Sequence, residues 1–272
     1  MIQYRQNHEK GRGDTMSMLR AVLKIAAPLP DLEKMERMLF IGPHPDDIEI
    51  GAGASAARWA AEGKQVCFLI CTDGRFGTDN MKDPLPPEEL AAVREREARE
   101  SAAVLGVRDV RFLRFSDGAF YPEEDLLRAL AGVIGDFRPD VIFAPDPDTG
   151  WECHPDHLWV GKAAKQLAVF GNNPGIMSTY GARPAEICAL ALYMTGRANT
   201  FVGTAGYLGR QLQAIFGCHR SQFPGGCQAA KSIRLYLQLR AADFGLRSLH
   251  RTAEGFRVLG QTQMHCFPEA GK

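Results

Sequence analysis

Residues 38–53 read MLFIGPHPDDIEIGAG, and the order of apolar and polar residues in this stretch predicts the fold class. The apolar run at 38–42 predicts a buried strand, and a helical pattern begins near residue 51. Between them lies the polar run His44-Pro45-Asp46-Asp47. A buried strand that leads through a polar turn into a helix is typical of a βαβ unit, so this stretch predicts a parallel sheet.

The same alternation continues along the chain. Further apolar strands are predicted at 66–71, 110–115 and 141–144. Helical patterns lie between and after the strands, at 51–62, 87–105, 123–137 and 155–169. Strands separated by helices of this length predict an α/β, Rossmann-like fold, with a mainly parallel sheet, helices on both faces and right-handed crossovers.

Outside this alternation the pattern predicts fewer elements. Residues 1–37 form an N-terminal extension in which 16–27 predict a short amphipathic helix. No linker divides residues 38–272, which therefore predict a single domain. Within this domain, 171–184 predict a long loop, 187–193 a strand, and 205–217 and 228–243 two helices.

A second polar run, His154-Pro155-Asp156-His157, matches the first. Both runs begin with His-Pro-Asp, and each follows a predicted strand. In sheets of this kind, binding sites form beyond the carboxyl ends of the strands. The segments TDGR at 72–75 and DG at 117–118 follow the other two strands, so four polar loops are predicted to converge on one rim.

The two runs supply the side chains that a catalytic metal site uses. A catalytic zinc ion typically takes three protein ligands and leaves a fourth position open for water. If His44, Asp47 and His157 bind Zn²⁺, the ion lowers the pKa of that water to about 7. The alternative interpretation is that both runs are polar loops whose histidines cap helices.

Three neighbouring side chains would complete a hydrolytic site. Asp46 stands beside a candidate ligand and could take the proton of the water. His154 could polarise a substrate carbonyl or stabilise an oxyanion. Asp156 could hold the second ring nitrogen of one histidine. Together these residues predict metal-assisted hydrolysis of an amide.

Composition narrows the classes of partner. The 272 residues are 45% hydrophobic with a formal net charge of +0, so no net field favours nucleic acid or an anionic membrane. No apolar run approaches the roughly 20 residues of a membrane helix. The seven cysteines form no Cys-x-x-Cys pair, which is typical of reduced thiols. The sequence therefore predicts a cytoplasmic protein with a small-molecule substrate, no nucleic acid and no membrane span.

The sequence resembles the LmbE/PIG-L family over about residues 38–260. The resemblance rests on PHPDDIEIGAG, HPDH, the TDG at 72–74, Arg94-x-x-Glu97 leading into LGV at 105–107, and HRSQ at 219–222. Members of this family are zinc-dependent deacetylases of small molecules that contain N-acetylglucosamine and of related amides. The resemblance implies that this chain removes an acetyl group from an N-acetylated amino sugar or its conjugate.

Residue by residue, the resemblance implies a zinc centre. His44, Asp47 and His157 match the family's metal ligands. Asp46 matches its base, and His154 matches the group that helps to stabilise the tetrahedral intermediate.

The chain departs from the family pattern at one position beside the metal run. Many members carry Glu directly after HPDD, whereas this chain has Ile48. The Ile form resembles the branch with chitobiose-type and bacillithiol-type deacetylases, but it does not identify the substrate. Residues 1–35 do not align with the family pattern, and neither does the segment 171–215 within the span of 38–260.

Other residues are candidates for supporting the site or contacting the substrate. Asp73 ends a predicted strand and is interpreted as a carboxylate that supports the site. The candidates for substrate contacts are Arg75, Arg94, Trp151, His219 and His265. Alternatives stay open, since Arg94 could pair with Glu97 along its helix and His219 could cap a helix or pack in the core.

His265 belongs to a tail, 261–268, that mixes apolar and polar residues. Family members often assemble as trimers or hexamers, so the resemblance implies a homo-oligomer. In such an assembly His265 is predicted to lie at a subunit boundary, near the rim of an active site. The alternative is a tail histidine that packs on its own chain or stays in solvent.

Two other classes of function compete with this interpretation. Gly51-Ala52-Gly53 opens a helix after a strand, with Asp73 at the distance of a ribose contact, which favours a dinucleotide-binding protein. Against it, Asp46 and Asp47 would repel a pyrophosphate, and Ala56 occupies the third glycine position. The other class is a non-catalytic binding module on the same fold, although every expected ligand and the base are present.

Overall fold

The computed structural model of the protein describes residues 22, 23 and 25–265. The predicted helix at 16–27 lies mostly outside these residues, and its described residues 22, 23, 25 and 26 are helical. None of the described helices combines the length and the apolar character needed to cross a membrane.

In the described part of the chain, seven strands form one mixed sheet. They are β1 (Arg37–Gly42), β2 (Gln65–Thr72), β3 (Asp109–Phe115), β4 (Val141–Pro145), β5 (Ala189–Tyr193), β6 (Thr200–Gly203) and β7 (Ala253–Gly260). Their order is β3-β2-β1-β4-β5-β7-β6. The first five pair in parallel, whereas β7 pairs antiparallel with β5 and β6. The predicted mainly parallel sheet is confirmed, and the antiparallel edge is a feature that the sequence did not predict.

Helices cover both faces of the sheet, as predicted. They are α1 (Asp47–Ala61), α2 (Pro87–Leu105), α3 (Glu123–Phe137), α4 (Pro155–Phe170), α5 (Pro174–Thr179), α6 (Leu208–Gln213), α7 (Gln228–Ser248) and α8 (Gln261–His265). On one face, Met38 and Phe40 of β1 pack in a core with Trp59 of α1. On the other face, Leu39 and Ile41 pack with residues of α3 and α4. Burying each such side chain stabilises the fold by about 1.5–3 kcal/mol.

Three predicted elements change in the second half of the chain. The predicted loop at 171–184 contains α5, because the side chain of Asn173 accepts a hydrogen bond from the Ile176 N–H at 3.1 Å and Pro174 suits a first helical turn. The predicted helix at 205–217 is α6 followed by a π-helical turn, Ala214–Cys218. The predicted helix at 228–243 continues to Ser248.

Helix α1 begins at Asp47 rather than near residue 51. Asp46 precedes it as the N-cap residue, with a backbone φ of 126°. Asp47 therefore lies in the first turn, where the helix dipole favours a negative charge. A positive φ at a residue other than glycine stores strain that the surrounding structure must support, and such strain tends to occur at functional sites.

The glycines of α1 are explained by packing. A Cβ at Gly51 would collide with the ring of Tyr193, whose hydroxyl donates to the carbonyl of Ile41 at 2.7 Å. A Cβ at Gly53 would lie 3.1 Å from the side chain of Gln211. Both glycines let α1 approach its neighbours closely, which removes the main sequence argument for a dinucleotide-binding loop.

The order of the strands brings the two polar runs together. β1 and β4 are neighbours, and the sheet continues from them in opposite directions, to β2 and β3 on one side and to β5 on the other. A switch of this kind opens a crevice beyond the carboxyl ends of the two strands. The runs at 44–47 and 154–157 follow β1 and β4, so both border this crevice.

Candidate metal-dependent active site

Two histidines and one aspartate meet in the crevice. His44 lies in the loop after β1, Asp47 begins α1, and His157 lies in the first turn of α4. Nδ1 of His44 is 3.1 Å from Oδ2 of Asp47, and Nε2 of His157 is 3.3 Å from the same oxygen. The three donor atoms lie within 4.8 Å of one another. Two nitrogens and one carboxylate oxygen in this arrangement fit a zinc ion.

A second carboxylate lies behind each of these histidines. Nε2 of His44 is 3.1 Å from Oδ2 of Asp156, and Nδ1 of His157 is 2.9 Å from Oε2 of Glu152. These contacts leave Nδ1 of His44 and Nε2 of His157 for a metal, with each ring oriented from behind. Asp156 was predicted in such a role, whereas Glu152 was not, because the contact of Glu152 depends on how the loop before α4 folds.

Glu152→Gln is expected to weaken metal binding by about 10–100-fold. The amide keeps the size of the side chain but loses the charge that makes the His157 ring a stronger ligand. Competition with a chelator would measure the affinity, and Glu124→Gln on the exposed surface of α3 is the matched control. Equal affinities in the two variants would mean that other contacts hold His157.

Asp156 ties His44 to the loop that follows β3. It is fully buried and accepts hydrogen bonds from the N–H groups of Gly118 and Ala119, at 2.7 and 2.9 Å, and from the hydroxyl of Tyr121 at 2.8 Å. Burial alone would raise the pKa of Asp156, but the hydrogen bonds from His44, Gly118 and Tyr121 lower it to about 2. Asp156 is therefore ionised at neutral pH.

Removal of the metal is expected to make the stability of the protein fall as pH rises. Burial lowers the pKa of His44, but hydrogen bonds to Asp156 and Asp47 outweigh it and raise the value to about 10. Burial also lowers the pKa of His157, and Asp47 raises it to about 9. Both values exceed the 6.5 of an unfolded histidine. The stabilisation is therefore complete below pH 6.5 and is lost as pH rises through about 9 and 10.

Thermal melting of the metal-free protein between pH 6 and pH 10, in roughly unit steps, measures this dependence. The Tm should decline across the interval, whereas protein loaded with zinc should hold its Tm because the ion takes the place of both protons. A Tm of the metal-free protein that stays level across the same interval would show that the two histidines are not protonated there.

Asp46 faces the same crevice and pairs with Arg94. Oδ2 of Asp46 is 3.3 Å from Nη2 of Arg94, which also donates to the carbonyl of Pro45 at 2.7 Å. The other end of the guanidinium donates to the carbonyl of Gly74 at 3.1 Å. Burial raises the pKa of Asp46 to about 6, against the opposing charge of Arg94. A carboxylate that is ionised at neutral pH, yet is more basic than usual, is suited to accept a proton and return it.

His154 is positioned to donate a hydrogen bond into the crevice. It is the N-cap residue of α4, and its Nδ1 accepts a hydrogen bond from the N–H of Asp156 at 3.2 Å. Burial and the charges of His44 and His157 lower the pKa of His154, so the ring is neutral at pH 7. Because Nδ1 accepts, the proton of the neutral ring is assigned to Nε2, which leaves an N–H donor for an oxyanion.

Four of these groups, those of His44, Asp46, Arg94 and His154, line one open cleft of about 310 Å³. Asp47 and His157 lie outside the lining, and Asp47 contacts the ring of His44. Its lining residues are His44, Asp46, Phe76, Gly77, Asp79, Arg94, Asp117, Gly118, His154 and Gln222. Asp79 and Gln222 were not among the predicted contacts. Gln222 belongs to the HRSQ motif, and its side chain donates to the carbonyl of Gly77 at 2.8 Å, which fixes it at the wall of the cleft.

Asp73 and Arg75 form a separate pair beside the cleft. The guanidinium of Arg75 bonds Asp73 at 2.5 Å and Glu88 at 2.6 Å. Neither residue is part of the cleft lining. The structure therefore does not bring Arg75 to the position that was predicted for a substrate contact, because its charge is already paired.

Trp151 and His219 also lie outside the lining of the cleft. Trp151 is 93% exposed. His219 is fully buried, with Nε2 at 3.2 Å from Oε1 of Glu49, and this carboxylate also accepts a hydrogen bond from Ser101 at 2.5 Å. His219 thus occupies the interior position that was the open alternative.

In its own chain, His265 lies near the amino-terminal ends of the parallel strands, opposite to the cleft. It ends α8, which follows directly on β7, and Gly260 at the end of β7 pairs with Ala189 at the start of β5. The cleft lies beyond the other ends of the parallel strands. His265 is exposed, and a contact with an active site would have to be with that of another subunit.

Comparisons with known proteins agree with this geometry. A family model described as PIG-L, GlcNAc-PI de-N-acetylase, matches residues 39–168. The diacetylchitobiose deacetylase of Thermococcus kodakarensis is 32% identical over 250 residues, which cover 91% of this chain and 91% of the relative. A 1D-myo-inositol 2-acetamido-2-deoxy-alpha-D-glucopyranoside deacetylase of Kineococcus radiotolerans is 32% identical over 190 residues, or 59% of this chain and 52% of the relative.

A solved structure extends the similarity to the fold. The N,N'-diacetylchitobiose deacetylase of Pyrococcus horikoshii, in complex with an inhibitor, superposes with a TM-score of 0.79 at 32% sequence identity. The superposition covers 92% of this chain and 93% of that one.

Proposed function

This chain belongs to the PIG-L (LmbE) family, and we propose that it is a zinc-dependent N-deacetylase of N-acetylglucosamine-type sugars or their conjugates. It is an amide hydrolase, as its homologues are deacetylases. The observation that carries the proposal is the trio His44, Asp47 and His157, which offers two nitrogens and one carboxylate to a single ion. A second, more basic carboxylate, that of Asp46, lies beside the trio.

Zinc is proposed because the donor set fits it. Two imidazole nitrogens and one carboxylate oxygen are a usual set for catalytic zinc, and each ring has a carboxylate behind it. When bound, the ion supplies Lewis-acid activation of water and of the amide carbonyl.

Two side chains of this chain act in the reaction, Asp46 in the proton transfers and His154 in stabilising the developing charge. Asp46 takes a proton from the attacking water as the oxygen adds to the acetamide carbonyl carbon. The Nε2–H of His154 donates to the carbonyl oxygen as negative charge develops there. Asp46 then returns its proton to the sugar nitrogen as the C–N bond breaks. The products are acetate and a sugar with a free amine.

An acetate-release assay tests this proposal. Zinc-loaded protein is incubated with N-acetylglucosamine, its disaccharides, thiol-glycoside precursors and N-acylated amino acids. Release is expected from the amino-sugar substrates, with one zinc ion per chain by elemental analysis. The absence of acetate from every substrate at full zinc occupancy would overturn the proposal, and bound NAD in metal-free protein would support the dinucleotide alternative.

The chain is also proposed to act as a homo-oligomer, a trimer or hexamer, in the cytoplasm. The free thiols among the described residues support a reducing compartment. The exposed His265, far from its own cleft, would serve a neighbouring subunit. A monomeric mass in solution, or an unchanged kcat/KM in His265→Ala, would overturn this role of the histidine.

A further inference from the structure

One wall of the cleft differs in character from the rest. Of the residues that line it, Phe76 is the one large apolar side chain among imidazole, carboxylate, guanidinium and amide groups. Phe76 is 49% exposed, so much of the residue faces solvent. An exposed aromatic ring beside convergent polar groups marks a surface for a ligand with one apolar face.

A second aromatic ring extends this wall outward. Phe120 is 74% exposed, and its ring centroid is 6.1 Å from that of Phe76, with the two planes at 87°. This edge-to-face contact is a favourable arrangement for two aromatic rings. Phe76 and Phe120 together form a corner at the mouth of the cleft, which is called the aromatic wall below.

The aromatic wall is fixed to the loops that hold the catalytic groups. The backbone N–H of Phe76 lies 3.2 and 3.3 Å from the two carboxylate oxygens of Asp117, which lines the cleft. The ring of Phe120 covers Gly118, where a Cβ would be 2.8 Å from the ring. Gly118 in turn donates to Asp156 behind His44. The aromatic wall is therefore connected, through Asp117 and Gly118, to the loops that border the catalytic groups.

The cleft is small for a two-ring substrate. Its volume of about 310 Å³ lies at the lower end of the range of about 300–1,000 Å³ for ligand pockets. One acetamido sugar on the polar floor leaves little room inside, so a second ring joined to it must extend past the mouth. A group that leaves the cleft on the side of Phe76 would meet the aromatic wall.

We propose that the aromatic wall is a second subsite, which binds the C–H face of a saturated, polyhydroxylated ring joined to the N-acetylated sugar. This inference rests on the proposed deacetylase function. Such a ring carries hydroxyls around its edge and C–H groups on its faces, so one face can stack on an aromatic ring while the hydroxyls stay in water. The ring could be a second pyranose or an inositol, which share this chemistry.

The test compares substrates with one and two rings. kcat/KM is measured for N-acetylglucosamine methyl glycoside, for N,N'-diacetylchitobiose and for N-acetylglucosaminyl inositol, in wild type, Phe120→Ala and Phe76→Ala/Phe120→Ala. In the double variant, the ratio of the two-ring to the one-ring value is expected to fall by about 10-fold. A fall with the disaccharide alone identifies a pyranose as the bound ring, and a fall with the inositol conjugate alone identifies inositol.

Tyr236→Ala is the matched control, because it removes an aromatic ring of α7 that is 54% exposed and does not line the cleft. An unchanged ratio in the double variant, or an equal fall in Tyr236→Ala, would overturn the subsite. Phe120→Ala keeps the test valid if the double variant does not fold, since a ring that is 74% exposed contributes little to the core. Failure of the deacetylase function itself would be visible separately, as wild-type protein that releases acetate from none of the three substrates.

Discussion

Asp46→Asn is expected to lower kcat by about 10²–10⁴-fold while zinc remains bound at one ion per chain. The substitution removes the carboxylate that takes the proton from water and keeps the shape of the side chain. Asparagine also tolerates a positive φ better than most residues, so the turn before α1 should persist. Because the three candidate ligands are unchanged, the metal content should stay the same while kcat falls.

The measurement pairs steady-state kinetics with elemental analysis. Asp109→Asn is a suitable control, because it removes a carboxylate from another arginine pair, at 2.9 Å from Arg111, away from the cleft. Near-normal kcat in Asp46→Asn would mean that a different group takes the proton. Loss of zinc from Asp46→Asn would instead assign the residue to the metal centre.

His157→Ala is expected to abolish turnover because it removes a metal ligand. The loss of Nε2 should weaken metal binding by more than the 10–100-fold expected from Glu152→Gln, which only removes the carboxylate behind the ring. His44→Ala and Asp47→Ala should behave in the same way. Metal content after dialysis and chelator competition would rank the four variants.

The ranking itself is informative. Full metal occupancy in any one of the three alanine variants would exclude that residue from the set of ligands. A Glu152→Gln variant that loses as much affinity as His157→Ala would mean that the ring of His157 cannot reach the ion without its supporting carboxylate.

The central strands could be predicted because they are runs of consecutive apolar residues. β1 is buried along nearly its whole length on both faces of the sheet, so its sequence is continuously apolar. β7 could not be found in this way, because Glu254 and Arg257 interrupt its apolar pattern. Glu254 is nevertheless buried, since it accepts hydrogen bonds from the N–H groups of Ala54 and Ser55 in α1. Those partners are distant in sequence, and no local pattern reveals them.

The same distinction applies to the candidate site. His44 and Asp47 are three residues apart, and the order of strands brings His157 beside them, so both parts of the trio follow from sequence and topology. Glu152 and Arg75 do not follow. A charged side chain in a loop can face the cleft or pair with a neighbouring charged residue. Which of the two occurs depends on the turns of the loop, and the residue types do not determine these turns.

The hydrogen bonds to Asp156 connect the metal centre to backbone amides whose exchange with solvent can be measured. Two backbone amides, those of Gly118 and Ala119, end on the same carboxylate that holds His44. If removal of the ion makes His44 more mobile, the hydrogen bonds from these two amides to Asp156 should break more often. The two amides should then exchange with deuterium faster. Exchange at Val141 in the middle of the sheet should not change. Mass spectrometry of a peptide spanning 116–121 would then report the occupancy of the centre without a substrate or a mutation.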